Sequence, residues 1–223
     1  ALISARATLE PGDVVVVAQK VVSKSEGKLV DLDTVVAGNE AMEIASRLIA
    51  APDPRVVQVV LDESVRVVRS DRVLITETRH GFVCANSGVD HSNIAGRDIV
   101  SLLPDDPDAS AARIRDRMRD LAGVEVGVIV SDTFGRPWRL GIVNVALGVA
   151  GLPAAIDLRG SLDDAGNPLH ATVLAVADEI AAAAGTVMGK TGRTPVVVVR
   201  GLNLAGSGTG RDLIRPAGED LFR

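Results

Sequence analysis

A chain of 223 residues with 47% hydrophobic and 24% charged side chains has a globular composition with ample material for a core. Its net charge of −5, its 2% aromatics and its lack of tyrosine argue against base-stacking platforms and polybasic phosphate-backbone binders. A lone cysteine makes no internal disulfide, no Cys/His spacing suggests zinc, and neither a signal segment nor a membrane-length apolar run is present, so a cytoplasmic protein is expected.

The first Val-rich run, 14–22 (VVVVAQKVV), predicts a strand, because β-branched residues pack well on a pleated surface. It leads into VVSKSEGKLV at 21–30, where Lys20 and Lys24 flank a Ser/Gly turn. Such a turn holds phosphate through backbone N–H groups and ammonium charge, or is simply a solvated hairpin; no GxxxxGK[ST] motif is present. Residues 40–50 predict a short helix stopped by Pro52 and Pro54. Runs at 56–61, 65–68, 72–76 and 81–85 then predict consecutive strands, and without a helix between them they should pair antiparallel. Cys84, in the last of these, is expected to be a buried, inert thiol. The next loop, ANSGVDHSN (85–93), carries Asp90, a hard oxygen donor suited to Mg²⁺ or Mn²⁺, beside His91 and Asn93.

After the PDDPD turn, residues 108–121 predict a helix capped by Asp108, with Ile114, Met118 and Leu121 on one face. The strand at 124–130 runs into SDTFGRPWR, placing Asp132 and Thr133 just past its end. A carboxylate and a hydroxyl together suit a divalent cation, and Arg136 and Arg139 suit anionic substrate groups through planar bidentate contacts. The alternative is an Asp/Thr cap on the following turn, with Trp138 as a packed plug. Residues 171–188 predict an Ala-rich helix with Leu174, Ala177, Ala181 and Ala184 on one stripe, closing at Gly189. Asp178 and Glu179 within it are adjacent and diverge by about 100°. A strand at 196–200 precedes the Gly/Ser-rich segment 201–216, which either covers phosphates or is a mobile connection. Without internal repeats, these elements make a mixed α+β architecture.

The blocks GDVVVVAQKVVSKSEGKLV, VLITETRHGFVCANSGVDHSN, VIVSDTFGRPWR, AVADEIAAAAGTVMGK and DLIRPAGEDLF together resemble the coenzyme F420:L-glutamate ligases, in order, from about Pro11 to Phe222. The resemblance implies one ligase domain over 1–223, in a mixed, largely antiparallel α+β fold that forms an intertwined homodimer. It implies a GTP-dependent ligase using Mn²⁺ or Mg²⁺ with K⁺. That enzyme joins L-glutamate to coenzyme F420-0, and then to the added γ-linked glutamate, through an acyl phosphate. By the same resemblance Gln19, Lys24 and Asn93 contact the nucleotide, and Asp90, Asp132 and Thr133 bind metal. Asp132 and Lys24 from the resemblance, and Arg136 from residue chemistry, are the expected catalytic residues; Arg136, Arg139 and Arg79 as anion contacts rest on residue chemistry alone. Relatives carry an N-terminal strand with a Leu-Pro segment, so a preceding segment is expected to be missing before ALISARATL, which resembles the helix after it. Some relatives continue into a flavin-reductase-like domain, which makes the chain a stand-alone ligase or the ligase portion of a longer one. The competing readings are a metal-dependent phosphatase or nucleotidase, and a nucleotide-binding module without turnover.

Overall fold

The computed structural model of the chain describes residues 8–94, 98–204 and 206–220. The helix expected at the N-terminus and the last residues of the C-terminal block lie largely outside them. The chain divides into two compact units. One comprises Asp106–Thr133 and Val143–Arg223 with the N-terminal residues through Ala18; the other comprises Gln19–Asp105 and Phe134–Ile142.

The first unit is built on a four-stranded sheet in the order β11-β1-β7-β8. Its strands are β1 (Val14–Ala18), β7 (Gly127–Arg136), β8 (Arg139–Ala150) and β11 (Val196–Val199), the last residues of β7 and first of β8 belonging to the other unit. β1 runs parallel to β7, with Val16 opposite Ile129 and Ala18 opposite Ser131, and antiparallel to β11. Val14, Val16 and Ile129 pack with Ala177, Ala181, Ala184 and Met188 of helix α5 (Val176–Met188). The small alanines let helix and sheet approach closely, and Gly189 at positive φ ends the helix. Leu174 stands outside α5, in the short strand β10 (Val173–Leu174), which pairs with β9 (Ile156–Asp157). Helix α4 (Pro107–Ala122) is capped by Asp106, whose side chain accepts from Ala109 N, rather than by Asp108. Pro107 at the first helical position fixes that boundary. Asp108 instead accepts from Val149 N (2.8 Å) and Gly210 N (2.6 Å), and Leu121 of the expected apolar face is exposed.

The second unit holds α1 (Gln19–Ser25), α2 (Asn39–Arg47) and α3 (Pro54–Asp62). It also holds an antiparallel sheet of β3 (Ser64–Arg69), β4 (Ile75–Thr78) and β5 (Val83–Ala85), and the antiparallel pair β2 (Leu29–Asp31) and β6 (Ile99–Ser101). Its core gathers Leu32, Ala41, Ile44, Leu48, Val57, Val60, Leu74 and Val100. Cys84 is buried, as expected.

Three further expectations change. The run at 56–61 is helical: Asp53 accepts from Arg55 N, Pro54 starts the helix, and Val57 and Val60, one turn apart, enter the core. Burial of that stripe outweighs the modest β preference of valine. The first strand stops at Ala18, and 19–25 form α1. Finally, β7 continues through Asp132 and Thr133 to Arg136, because β8 extends the ladder beside it. Gly141 and Gly148 dilute the β8 pattern in the sequence. The mixed α+β class with largely antiparallel sheets holds.

Candidate functional site

In the second unit, Gln19, Lys20, Lys24, Asp90 and Asn93 come from two segments of chain distant in sequence. β1 ends at Ala18 and α1 begins at once, so Lys20 and Lys24, four residues apart, project from one side of a short helix. Lys20 Nζ donates to Asp90 Oδ2 (2.6 Å), Ser92 Oγ (2.6 Å) and Ser92 O (2.8 Å). Lys24 Nζ donates to the carbonyl of Asn93, a residue at φ 58°. Two ammonium groups thus grip the 90–93 segment, whose base is an exchange of backbone hydrogen bonds between Asp90 and Ser101.

Partial burial pushes the Asp90 carboxyl upward, but the Lys20 ammonium and the Ser92 hydroxyl and N–H outweigh it and hold the pKa at about 2. Asp90 is therefore a carboxylate throughout the physiological range. Gln19 is buried; its amide donates to Ser23 Oγ (2.5 Å) and Leu102 O (2.9 Å), which anchors the start of α1. Arg79 donates to the carbonyl of Asp62, and His91 is exposed.

Asp132 and Thr133 belong to the first unit. Successive side chains alternate across a strand, so Ile129, Ser131 and Thr133 share the face that packs on α5, and Asp132 takes the opposite face. Asp132 Oδ1 accepts from Thr133 N (2.8 Å). Lys190, immediately after the Gly189 that ends α5, donates to Thr133 Oγ1 (2.7 Å). Asn144 of β8 donates to Ser131 Oγ (3.2 Å). Sequence reasoning misses Lys190; its signal is the Gly-Lys pair closing the Ala-rich helix. Asp178 accepts from Ala146 N (2.8 Å), and burial pushes its carboxyl above the ordinary value, partly opposed by that N–H. Glu179 is exposed.

Arg136 and Arg139 flank the two-residue turn Pro137–Trp138 of the β7–β8 hairpin. Arg136 donates to Leu140 O (2.6 Å). Trp138 is 87% exposed at φ 63°, so it is not a packed plug. The Gly/Ser-rich 206–210 segment is docked rather than slack. A Cβ on Gly210 would lie 2.1 Å from Leu147 O, and one on Gly208 2.3 Å from Ala154 N.

Among the described residues, no three His, Cys, Asp or Glu side chains gather as a metal cluster. Asp90, Asp132 and Thr133 are hard oxygen donors of the kind Mn²⁺ and Mg²⁺ prefer, but the Asp132 and Thr133 side chains leave β7 on opposite faces and Asp90 is paired with Lys20. Among the described residues, no helix is long and apolar enough to cross a membrane.

Residues 1–201 match the family model described as F420-0:gamma-glutamyl ligase. The coenzyme F420:L-glutamate ligase of Methanocaldococcus jannaschii is 48% identical over 218 residues, 96% of this chain and 86% of that protein. The ligase of the same name from Methanopyrus kandleri is 46% identical over 229 residues, 100% of this chain and 90% of that protein. That of Methanothermobacter thermautotrophicus is 43% identical over 217 residues, 95% of this chain and 85% of that protein. A match of this length and identity means that the chain belongs to the F420-0:gamma-glutamyl ligase family.

Proposed function

We propose that this protein ligates L-glutamate to coenzyme F420-0, and then to the γ-carboxylate of the added glutamate, using GTP. The observation that carries this reading is the identity of 43–48% to relatives named coenzyme F420:L-glutamate ligase. In the proposed reaction the precursor carboxylate attacks the γ-phosphorus of GTP and GDP leaves, giving an acyl phosphate. The amine of glutamate then attacks the acyl carbon, inorganic phosphate leaves, and the amine loses a proton as the amide forms. Acyl phosphates hydrolyse readily, so cationic groups that hold the phosphates and exclusion of water are the main demands on the protein.

Lys24 and Lys20 on α1 suit the nucleotide phosphates as ammonium charges that would exchange their hold on the 90–93 segment for phosphate, with Asn93 as a further nucleotide contact and Gln19, which is buried, anchoring the start of α1 behind them. Asp90, Asp132 and Thr133 suit Mn²⁺ or Mg²⁺, which when bound would neutralise phosphate charge; K⁺ is proposed as a supporting ion. Asp90 supports this reading in being ionised at every working pH. Arg136, with Arg139 and Arg79, suits anionic substrate groups. A homodimer is proposed as the working form, supported by the exposed apolar side chains of the β7–β8 hairpin: Trp138, Leu140 at 98% exposure, and Ile142.

The test is incubation with GTP, Mn²⁺, L-glutamate and F420-0. The expected result is GDP release that requires both glutamate and cofactor, with a cofactor mass gain of one glutamyl residue per GDP. Release that ignores glutamate and cofactor would instead make the protein a phosphatase or nucleotidase, and no release would make it a binding module. Asp132→Asn is expected to lower turnover by roughly 100-fold or more with an unchanged far-UV circular dichroism spectrum. Unchanged turnover in that variant would remove Asp132 from the chemistry.

A further inference from the structure

The second unit contains a pocket of about 160 Å³ that the proposed ligation does not use. Its floor is aliphatic, formed by Leu48, Val56, Val57, Val60 and Leu74. Its polar groups are Arg72 and Asn86.

The walls are held in place before any ligand arrives. Leu48 bridges to Arg72, Ile49 N donates to Arg72 O (3.3 Å), and Ala51 N donates to Leu48 O (3.0 Å). Asn86 N donates to Leu74 O (2.9 Å), and Ser87 N donates to Thr76 Oγ1 (3.0 Å). Each of these three segments carries a non-glycine residue in the left-handed region: Ala51 at φ 41°, Arg72 at φ 64°, and Asn86 at φ 54° followed by Ser87 at φ 50°. Such conformations persist only where surrounding contacts over-determine them, and they cluster at ligand clamps.

Arg72 shares the field of the adjacent Asp71 carboxylate, but the hydrogen bonds to that carboxylate come from Arg69. Asp71, the adjacent carboxylate, is bound through both oxygens by Arg69 (2.7 and 2.8 Å). Arg72 is exposed and makes no side-chain hydrogen bond or ion pair with another described residue.

We propose that this pocket binds a short aliphatic carboxylate, with its hydrocarbon chain on the valine and leucine floor and its carboxylate on the Arg72 guanidinium. A cavity of this volume holds roughly six carbons. A planar guanidinium matches a carboxylate through two parallel hydrogen bonds, and the Asn86 amide supplies a further donor beside it. The aliphatic lining restricts the rest of the ligand to apolar groups.

The test is a titration of the ¹⁵N-labelled full chain with 4-methylpentanoate, and separately with its uncharged counterpart 4-methylpentanamide, followed by NMR. The expected result is saturable amide shifts confined to residues 48–51, 72–74 and 86, with a dissociation constant for the carboxylate on the order of 1 mM. Arg72→Gln is expected to weaken the carboxylate about tenfold and leave the amide unchanged, and Ala50→Leu, at the exposed rim, to abolish both. Shifts that do not saturate, that lie elsewhere, or that survive Arg72→Gln unaltered for the carboxylate would overturn the assignment. Because the readout is binding rather than turnover, the result is independent of the ligase reading.

Discussion

Asp13 and Asp90 show how single carboxylates acquire different roles from their surroundings. Asp13, 1% exposed at the start of β1, accepts two hydrogen bonds from Arg200 (2.8 Å each) and one from Glu10 N (2.8 Å). The Arg200 hydrogen bonds hold its carboxyl below the ordinary range, against the opposing effect of burial. A carboxyl whose folded pKa is depressed stabilises the fold above its unfolded pKa of about 3.9, and that stability is lost as pH falls through the lower folded value. Arg200→Met is therefore expected to destabilise the fold at neutral pH, where it strands the buried Asp13 charge, and to flatten the acid limb below about pH 4. Chemical denaturation at neutral and acid pH checks both; an equal cost at the two would refute the linkage. Asp90 is held ionised by Lys20 and Ser92, but at a half-buried position at the base of an exposed loop rather than in the core.

At the scale of elements, close backbone approach decides more than propensity does. α4 meets β8 where Gly148 lies, and a Cβ there would stand 2.1 Å from Pro107 O; Gly210 brings the C-terminal segment equally near Leu147 O. Those distances leave backbone no room to yield, so Gly148→Ala or Gly210→Ala is expected to cost about 3 kcal/mol or more. Gly123→Ala makes the contrast. Gly123 ends α4 at φ 68°, and a Cβ added there would meet nothing within 4 Å, so only the conformational penalty of about 1 kcal/mol applies. Thermal denaturation of the three variants separates the effects, and equal losses would sink the close-approach account. The same contacts explain why a Gly-rich segment that reads as a mobile connection is docked.

At the scale of the whole molecule, the β7–β8 hairpin tip presents Trp138, Leu140 and Ile142 to solvent, while Phe134 at its base meets Phe82 edge-on at 6.2 Å. If the proposed homodimer uses this tip, the double variant Trp138→Ser/Leu140→Ser will run as a monomer in light scattering where the parent runs as a dimer. A parent that is monomeric, or a variant that stays dimeric, would remove the hairpin from the assembly.

Much of the architecture is legible in the residues. Asp/Pro pairs open α3 and α4, Gly189 closes α5, and Val-rich runs mark β1, β7 and β11. The motifs around Lys24, Asp90 and Asp132 also carry the family resemblance, because local patterns of charge and turn residues are written directly in the chain. The residues alone do not reveal that 56–61 is helical, that Asp132 lies within a strand, that Lys190 reaches Thr133, or that Arg72 stands over an apolar pocket. Each depends on a partner far away in sequence: the core beneath α3, the β8 ladder beside β7, the end of α5, and the loops at 48–52 and 86. A valine run carries the same local preference wherever it sits, and only burial against a particular neighbour decides between helix and strand.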